Sequence, residues 1–188
     1  MKRTISLCIK MFKIIYPEHF MRPMINFLKE ENKKDLIGVE IGTASGENAK
    51  RILKTLSIKK LYLIEPWLTY EELGEIKDCN KSKQKCKKVL KKWNSKIVYV
   101  KKLSENAVND IPDNVNFIYV DGNHKYAFVK KDIELYYPKV KPGGVIGGDD
   151  FCGNFVGVVR AVLEFVDKHN LELHSRINDW WIVKPKEK

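Results

Sequence analysis

Leu36-Ile37-Gly38-Val39-Glu40-Ile41-Gly42-Thr43-Ala44-Ser45-Gly46 is the stretch that decides the fold. Its first six residues form a short, mostly apolar run that stops at a turn of small residues, which reads as a buried strand. Beyond the turn, Ala49, Ile52, Leu53 and Leu56 stand at the spacing of one helical face. Strand, glycine turn and helix in that order open a β-α-β unit, and the alternation continues downstream. Leu61–Ile64, Ile97–Val100, Val115–Val120 and Val145–Gly148 read as further strands, and Trp180–Val183 as the last. His19–Glu31, Phe128–Tyr137 and Val156–Val166 read as helices. Residues 68 to 93 are polar and lysine-rich, with helical spacing near Cys86, Val89, Leu90 and Trp93, and Lys141-Pro142-Gly143-Gly144 reads as a turn. Short buried strands alternating with amphipathic helices predict an α/β fold: a Rossmann-like, doubly wound, mostly parallel sheet with helices on both faces. Residues 1–35 are expected to form an N-terminal helical extension and residues 36–188 the α/β domain.

The chain has 188 residues, 44% of them hydrophobic and 31% charged, which excludes a disordered or low-complexity chain. The net charge is +11, carried by thirty lysines and only five arginines. Arginine is the usual residue for bidentate contact with phosphates and bases, so this charge permits a nucleic-acid partner without requiring one. Cysteines at 8, 79, 86 and 152 show neither zinc-knuckle spacing nor the density of a disulfide scaffold. They suit a reduced, cytoplasmic setting. The N-terminus begins like a secretory signal, but Lys10 and Lys13 break its apolar run, and no stretch reaches the length of a membrane span.

Ligands of open α/β sheets bind beyond the carboxyl ends of the strands. Glu40, Gly42, Ser45 and Gly46 follow or close the first strand, Glu65 the second, and Ser104 and Glu105 the third. Asp121, Gly122, Asn123 and His124 follow the fourth, and Asp149 and Asp150 the fifth. Carboxylates gathered on one edge repel each other unless a metal ion or ligand hydroxyls relieve the repulsion. Gly42 and Gly46 allow close backbone approach and open a helix whose N-terminus favours an anion. Their spacing is not that of the dinucleotide fingerprint, which disfavours hydride transfer with a nicotinamide cofactor. Glu65, 23 residues beyond Gly42, stands where a carboxylate can hold ribose hydroxyls, so the pair points to a nucleoside-bearing cofactor. The plain alternatives are a tight turn at Gly42–Gly46 and helix caps at Asp121, Asp149 and Asp150.

These residues resemble the class I S-adenosylmethionine-dependent methyltransferases. Val39–Gly46 is similar to their first motif, Glu65 to their ribose-binding acid, and Lys141–Gly144 to their turn before the fifth strand; the resemblance runs from about Leu36 to Val183. Asp121-Gly-Asn-His-Lys-Tyr126 and Gly148-Asp149-Asp150-Phe151 resemble the metal-dependent O-methyltransferases within that class, both the catechol type and the macrocin and cephalosporin-hydroxylase-like type. The resemblance implies a seven-stranded sheet with an antiparallel last strand. It implies S-adenosylmethionine bound by Glu40, Gly42, Thr43, Ser45, Gly46, Glu65, Ser104 and Asp121. It also implies Mg²⁺ or another divalent cation on Asp121, Asp149 and Asp150, with His124 as the base and Lys125 as the runner-up.

The residue chemistry agrees with that carry-over. Three carboxylates make a hard, oxygen-rich site, and a cation there favours the deprotonated form of a bound hydroxyl. An imidazole titrates near working pH and suits a general base. Trp67 is a candidate wall for adenine or the acceptor, or simply a core residue. The expected reaction is methyl transfer to a hydroxyl of a small molecule or sugar. A nucleic-acid methyltransferase and a non-catalytic cofactor- or metal-binding relative are the alternatives. The 1–35 segment, with the apolar stripe Phe12, Ile15, Tyr16, Phe20 and Met24, suits an acceptor cover, a homodimer contact or ordinary packing.

Overall fold

β1 (Leu36–Ile41) lies near the middle of a seven-stranded sheet in the computed structural model, which describes residues 22–68, 70–72, 75–77 and 79–186. To one side come β2 (Ile58–Ile64) and then β5 (Ile97–Val100). To the other come β6 (Val115–Val120), β7 (Val140–Gly148), β9 (Asp179–Val183) and β8 (His174–Arg176) at the edge. The pairs from β5 through β7 are parallel, and β9 runs antiparallel to both of its neighbours. β3 (Tyr70–Glu72) and β4 (Glu75–Lys77) form a separate antiparallel hairpin. The chain winds outward from β1 in one direction and then restarts at β6 in the other. The junction of β1 and β6 is therefore the topological switch point, where open α/β sheets hold ligands.

The helices are α1 (Pro23–Glu30), α2 (Glu47–Thr55), α3 (Cys79–Leu90), α4 (Ser104–Ala107), α5 (Tyr126–Tyr136) and α6 (Val156–His169). Strand alternation divides the core into two layers, as a two-residue period requires. Along β6, Phe117 and Tyr119 face the layer holding Met24, Leu28, Ile52 and Leu61, while Ile118 and Val120 face the layer holding Ile133, Ile146 and Val162. α1 begins with a proline at its first turn, a position that lacks an intrahelical N–H partner in any case. It buries Met24, Ile25 and Leu28 in the first layer. Among the described residues no helix is long and apolar enough to cross a membrane.

The strands expected near Leu36, Leu61, Ile97, Val115, Val145 and Trp180 all form, and β9 has the antiparallel sense that the resemblance implied. The segment 141–144 differs from the expected free turn. It belongs to β7, where the register against β6 shifts between Val115 and Phe117, Gly143 takes φ +70°, and the Gly143 N–H donates to the Lys184 carbonyl at 2.8 Å. The glycine pair thus makes a bulge inside a strand. α5 starts two residues earlier than its apolar stripe, and α6 runs three residues past Val166 to a left-handed Asn170. β8 and the β3–β4 hairpin carry no strand pattern in their sequences. The expectations for residues 1–21, including the Phe12–Phe20 part of the stripe and Cys8, lie outside the described residues.

Gly38 shows how closely the first layer is packed. A β-carbon there would stand 2.1 Å from a ring atom of Phe117, which is fully buried. Gly38→Ala should therefore cost about 1–3 kcal/mol, read as a lower urea midpoint with the fold retained. An unchanged midpoint would mean that the Phe117 ring has room to move.

Candidate functional site at the β1–β6 switch point

The loop after β1 is drawn against the end of β6. The Asp121 N–H donates to the Ile41 carbonyl at 2.8 Å, and the Gly42 N–H donates to the Ile64 carbonyl at 3.0 Å. Gly42 has φ +87°, and a β-carbon on it would lie 1.9 Å from the Asp121 carbonyl oxygen. Only glycine meets both conditions. Gly46, at φ +78°, then turns the chain into α2.

Glu40 closes β1 with its side chain fully buried. Its Oε1 accepts from Asn48 Nδ2 at 2.9 Å, while its Oε2 and the Thr43 hydroxyl, also buried and beside the Glu40 carboxyl, form no well-shaped hydrogen bond among the described residues. Burial pushes the Glu40 carboxyl up to about 8, and the nearby charge of Asp121 adds to the rise. Buried polar atoms left unpaired at a strand end are costly unless a ligand completes them. Glu65 ties the first two loops together: its Oε2 accepts from the Ala44 N–H at 2.9 Å and its Oε1 from the Trp67 N–H at 3.1 Å. Trp67 is buried, and its indole donates to the Ala44 carbonyl at 3.0 Å. Ala44 and Trp67 both take positive φ, so the fold holds strained backbone on each side of Glu65. Ser45 lies in the same turn. Ser104 begins α4, and its carbonyl accepts the Tyr136 hydroxyl at 2.7 Å; no hydrogen bond among the described residues joins it to Glu65 or Asp121.

At the ends of β6 and β7, Asp121 and Asp150 come together with His124, and Asp149 lies against Arg22. His124 Nε2 lies 2.7 Å from Asp150 Oδ2, and the imidazole packs on the Phe155 ring with centroids 4.5 Å apart. One donor atom from each of Asp121, His124 and Asp150 falls within 4.8 Å of the others. Asp149 instead contacts the Arg22 guanidinium, which also lies 3.5 Å from Asp179 and 3.8 Å from Asp121. Burial raises the Asp121 carboxyl to about 7; Asp150 and Asp179 push the same way, against Arg22 and His124. Asp150 itself takes φ +62°. The helix-cap alternative does not occur: α5 follows Lys125 and α6 follows Phe155, with no side-chain cap at either. Lys125 is exposed, and its backbone N–H donates to Asn123 Oδ1 at 2.9 Å.

Sequence reasoning missed Arg22, Asp179 and Trp180. Asp179 is 1% exposed and accepts from the Tyr119 hydroxyl at 2.9 Å and from the Met24 N–H at 3.0 Å. Its signal was an acid leading an apolar strand. Arg22 had a fainter one, an arginine at a helix start in a chain that otherwise prefers lysine. Trp180 lines a small cleft with Asp121, His124 and Asp149, and its buried indole N–H has no hydrogen-bond partner among the described residues.

A family model described as a methyltransferase domain matches residues 39–151, more than half of the chain. An uncharacterised protein of Acanthamoeba polyphaga mimivirus is 28% identical over 134 residues, covering 67% of this chain and 56% of the relative. The chain therefore spans little more than half the length of that relative. Among solved structures, the O-methyltransferase NovP superposes with a TM-score of 0.64 at 16% identity, over 86% of this chain and 78% of NovP. A Streptococcus mutans protein in complex with S-adenosylhomocysteine gives 0.63 at 15%, over 86% of this chain and 96% of that one. An rRNA methylase of Streptococcus thermophilus gives 0.63 at 16%, over 89% and 98%. At these identities the structures share the fold.

Glu40 also sets a pH dependence. Its folded carboxyl titrates at about 8 against an ordinary value of 4.5. Between those values the folded state keeps a proton that the unfolded chain releases, so stability falls as pH rises from about 4.5 to about 8. The ligand-free protein should thus unfold at lower urea at pH 8 than at pH 6, and Glu40→Gln should reduce that difference, leaving the part that Asp121, raised to about 7, contributes. Parallel slopes for the two proteins would show that Glu40 ionises normally in the fold.

Proposed function

This chain belongs to the methyltransferase-domain family of the class I S-adenosylmethionine-dependent methyltransferases, and on that premise we propose that it methylates a hydroxyl oxygen of a small molecule or sugar. The observation that carries the oxygen acceptor is the His124–Asp150 pair beside Asp121, at the same strand ends as the cofactor loop. The loop suits the cofactor. The unpartnered Glu40 Oε2 and Thr43 hydroxyl would complete their hydrogen bonds with its polar groups, and the Glu65 carboxylate has lone pairs left for ribose hydroxyls. Gly42 lets the loop after β1 close onto the end of β6, and a carboxylate-lined edge favours a cationic ligand.

S-adenosylmethionine, when bound, supplies an electrophilic methyl group. Asp150, next to Nε2, would orient the His124 imidazole, and the oriented imidazole would take the acceptor's proton. A base needs such an orienting partner, and this is why the proton goes to His124 rather than to exposed Lys125. Trp180 offers a buried N–H to an acceptor oxygen. Much of the rate would come from holding oxygen and methyl carbon in line.

A divalent cation fits the donor set in part. Asp121 and Asp150 would hold it, while His124, whose donor atom also falls within range, would stay off the ion to act as the base; a carboxylate pair suits Mg²⁺ or Mn²⁺. Such an ion would favour the deprotonated acceptor hydroxyl. Asp149, the remaining ligand implied by the resemblance, is taken up by Arg22. We also propose a reducing, cytoplasmic setting, on the scattered cysteines alone.

The +11 charge supports a second reading, methylation of RNA. Calorimetric titration with S-adenosylhomocysteine tests the common premise: wild type should bind, and Glu65→Ala should bind at least about tenfold more weakly. His124→Asn should then leave that affinity unchanged and lower kcat on a hydroxylated acceptor by about 10²–10⁴-fold. Absence of cofactor binding would end the methyltransferase reading. Full activity of the Asn variant would remove His124 as the base, and RNA binding that weakens steeply with salt would move the acceptor to nucleic acid.

A further inference from the structure

Arg22 is the last residue before α1, with an extended backbone conformation that sends its side chain away from the helix. It reaches three carboxylates from three different strand ends, Asp121, Asp149 and Asp179, and lies 5.9 Å from the Tyr119 ring centroid. This placement is built into the core. Asp179 accepts from the Met24 N–H and from the Tyr119 hydroxyl, so the first turn of α1 is pinned to the start of β9. The guanidinium is about three-quarters shielded, with 23% of the side chain exposed, while the Asp149 carboxylate keeps only 13%. An ion pair this sheltered is screened little by salt.

A carboxylate committed to a guanidinium has one fewer lone pair for a metal ion, and the guanidinium charge repels a second cation nearby. We propose that Arg22 is the resident cation of the β6–β7–β9 carboxylates and that it holds Asp149 out of the divalent-ion donor set, so that ion affinity is set by Arg22. This inference rests on the methyltransferase reading for its purpose, since it makes cofactor and acceptor binding possible at this edge with little or no bound ion. It also makes α1, which precedes the methyltransferase motifs, part of the site's charge balance. Every carboxylate at this end of β6, β7 and β9 then has a cationic or donor partner within the chain: Arg22 for Asp121 and Asp149, His124 for Asp150, and Met24, Tyr119 and Arg22 for Asp179.

The test is Mn²⁺ titration of the full chain without substrate, with free Mn²⁺ read by electron paramagnetic resonance. Four proteins are compared: wild type, Asp149→Asn, Arg22→Met and the double variant. Wild type should bind Mn²⁺ weakly, and Asp149→Asn should match it to within about threefold, because Asp149 is not a ligand. Arg22→Met should bind at least about tenfold more tightly, the size of effect that neighbours of metal ligands commonly have, and the double variant should lose most of that gain. Arg22→Lys, which keeps the charge, should stay near wild type. Equal affinity in wild type and Arg22→Met would overturn the proposal, and so would a tenfold loss in Asp149→Asn. Should Arg22→Met fail to fold, Asp149→Asn and Arg22→Lys decide it. S-adenosylhomocysteine titration of the same wild-type sample tests the methyltransferase reading separately: failure there ends that reading, while the manganese data still decide the role of Arg22.

Discussion

The approach of Gly42 to the Asp121 carbonyl is the contact on which the rest of the site depends. β1 and β6 are adjacent parallel strands whose connections leave in opposite directions, so their carboxyl ends open a crevice. A side chain at residue 42 would enter the space held by the Asp121 carbonyl and force the two ends apart. Without one, the loop after β1, Glu65 and the β6 aspartate share a single edge, with buried Glu40 at the end of β1. The ends of β1 and β6 can meet this closely because residue 42 carries only a hydrogen atom in place of a side chain.

Electrostatics then shapes the edge. Six carboxylates, Glu40, Glu65, Asp121, Asp149, Asp150 and Asp179, collect at the ends of β1, β2, β6 and β7 and the start of β9. Unrelieved, they would repel one another across a partly dry surface. The protein relieves most of this repulsion itself. Backbone N–H groups serve Glu65, a hydroxyl and an N–H serve Asp179, a guanidinium serves Asp149, and an imidazole serves Asp150. Glu40 and Asp121 are relieved least: Glu40 keeps one oxygen unpaired among the described residues, Asp121 lies 3.8 Å from the Arg22 guanidinium, and both carboxyls rise. Three of the five buried side-chain atoms without a partner among the described residues, Glu40 Oε2, the Thr43 hydroxyl and the Trp180 indole N–H, stand at or next to the loops that the family resemblance assigns to ligands.

The strands that were legible in the sequence are the ones buried on both faces. Their apolar runs, such as Val115–Val120, carry a signal because each side of the sheet is covered by helices. β8, with the sequence His-Ser-Arg, and the hairpin strands Tyr-Glu-Glu and Glu-Ile-Lys are short and polar, and their strand character comes from pairing rather than from composition. The Lys141–Gly144 segment shows the opposite case. Its glycines and proline mark a break, and only the register against β6 and the bond to Lys184 reveal a bulge within a continuing strand. Among the residues that the structure gathers at this edge, those following a recognisable strand were legible as candidates: Glu65, Asp121, His124, Asp149 and Asp150. Arg22 and Asp179 were not, because they approach the edge from a helix start and from an antiparallel strand.

Local chemistry by itself determined the alternation of elements, the glycine turn and the set of acids available at the carboxyl ends. These follow from side-chain periodicity and from backbone freedom at particular residues, which are properties of short windows of chain. Tertiary structure alone decided which acid meets which cation. Arg22 and Asp149 are 127 positions apart in the sequence, and nothing local to either predicts their contact. It exists because Asp179 pins α1 across the sheet, and because antiparallel β9 brings its first residue to the end where β7 finishes. A carboxylate's partner depends on which strands are neighbours and which way they run, and that is set only when the sheet closes.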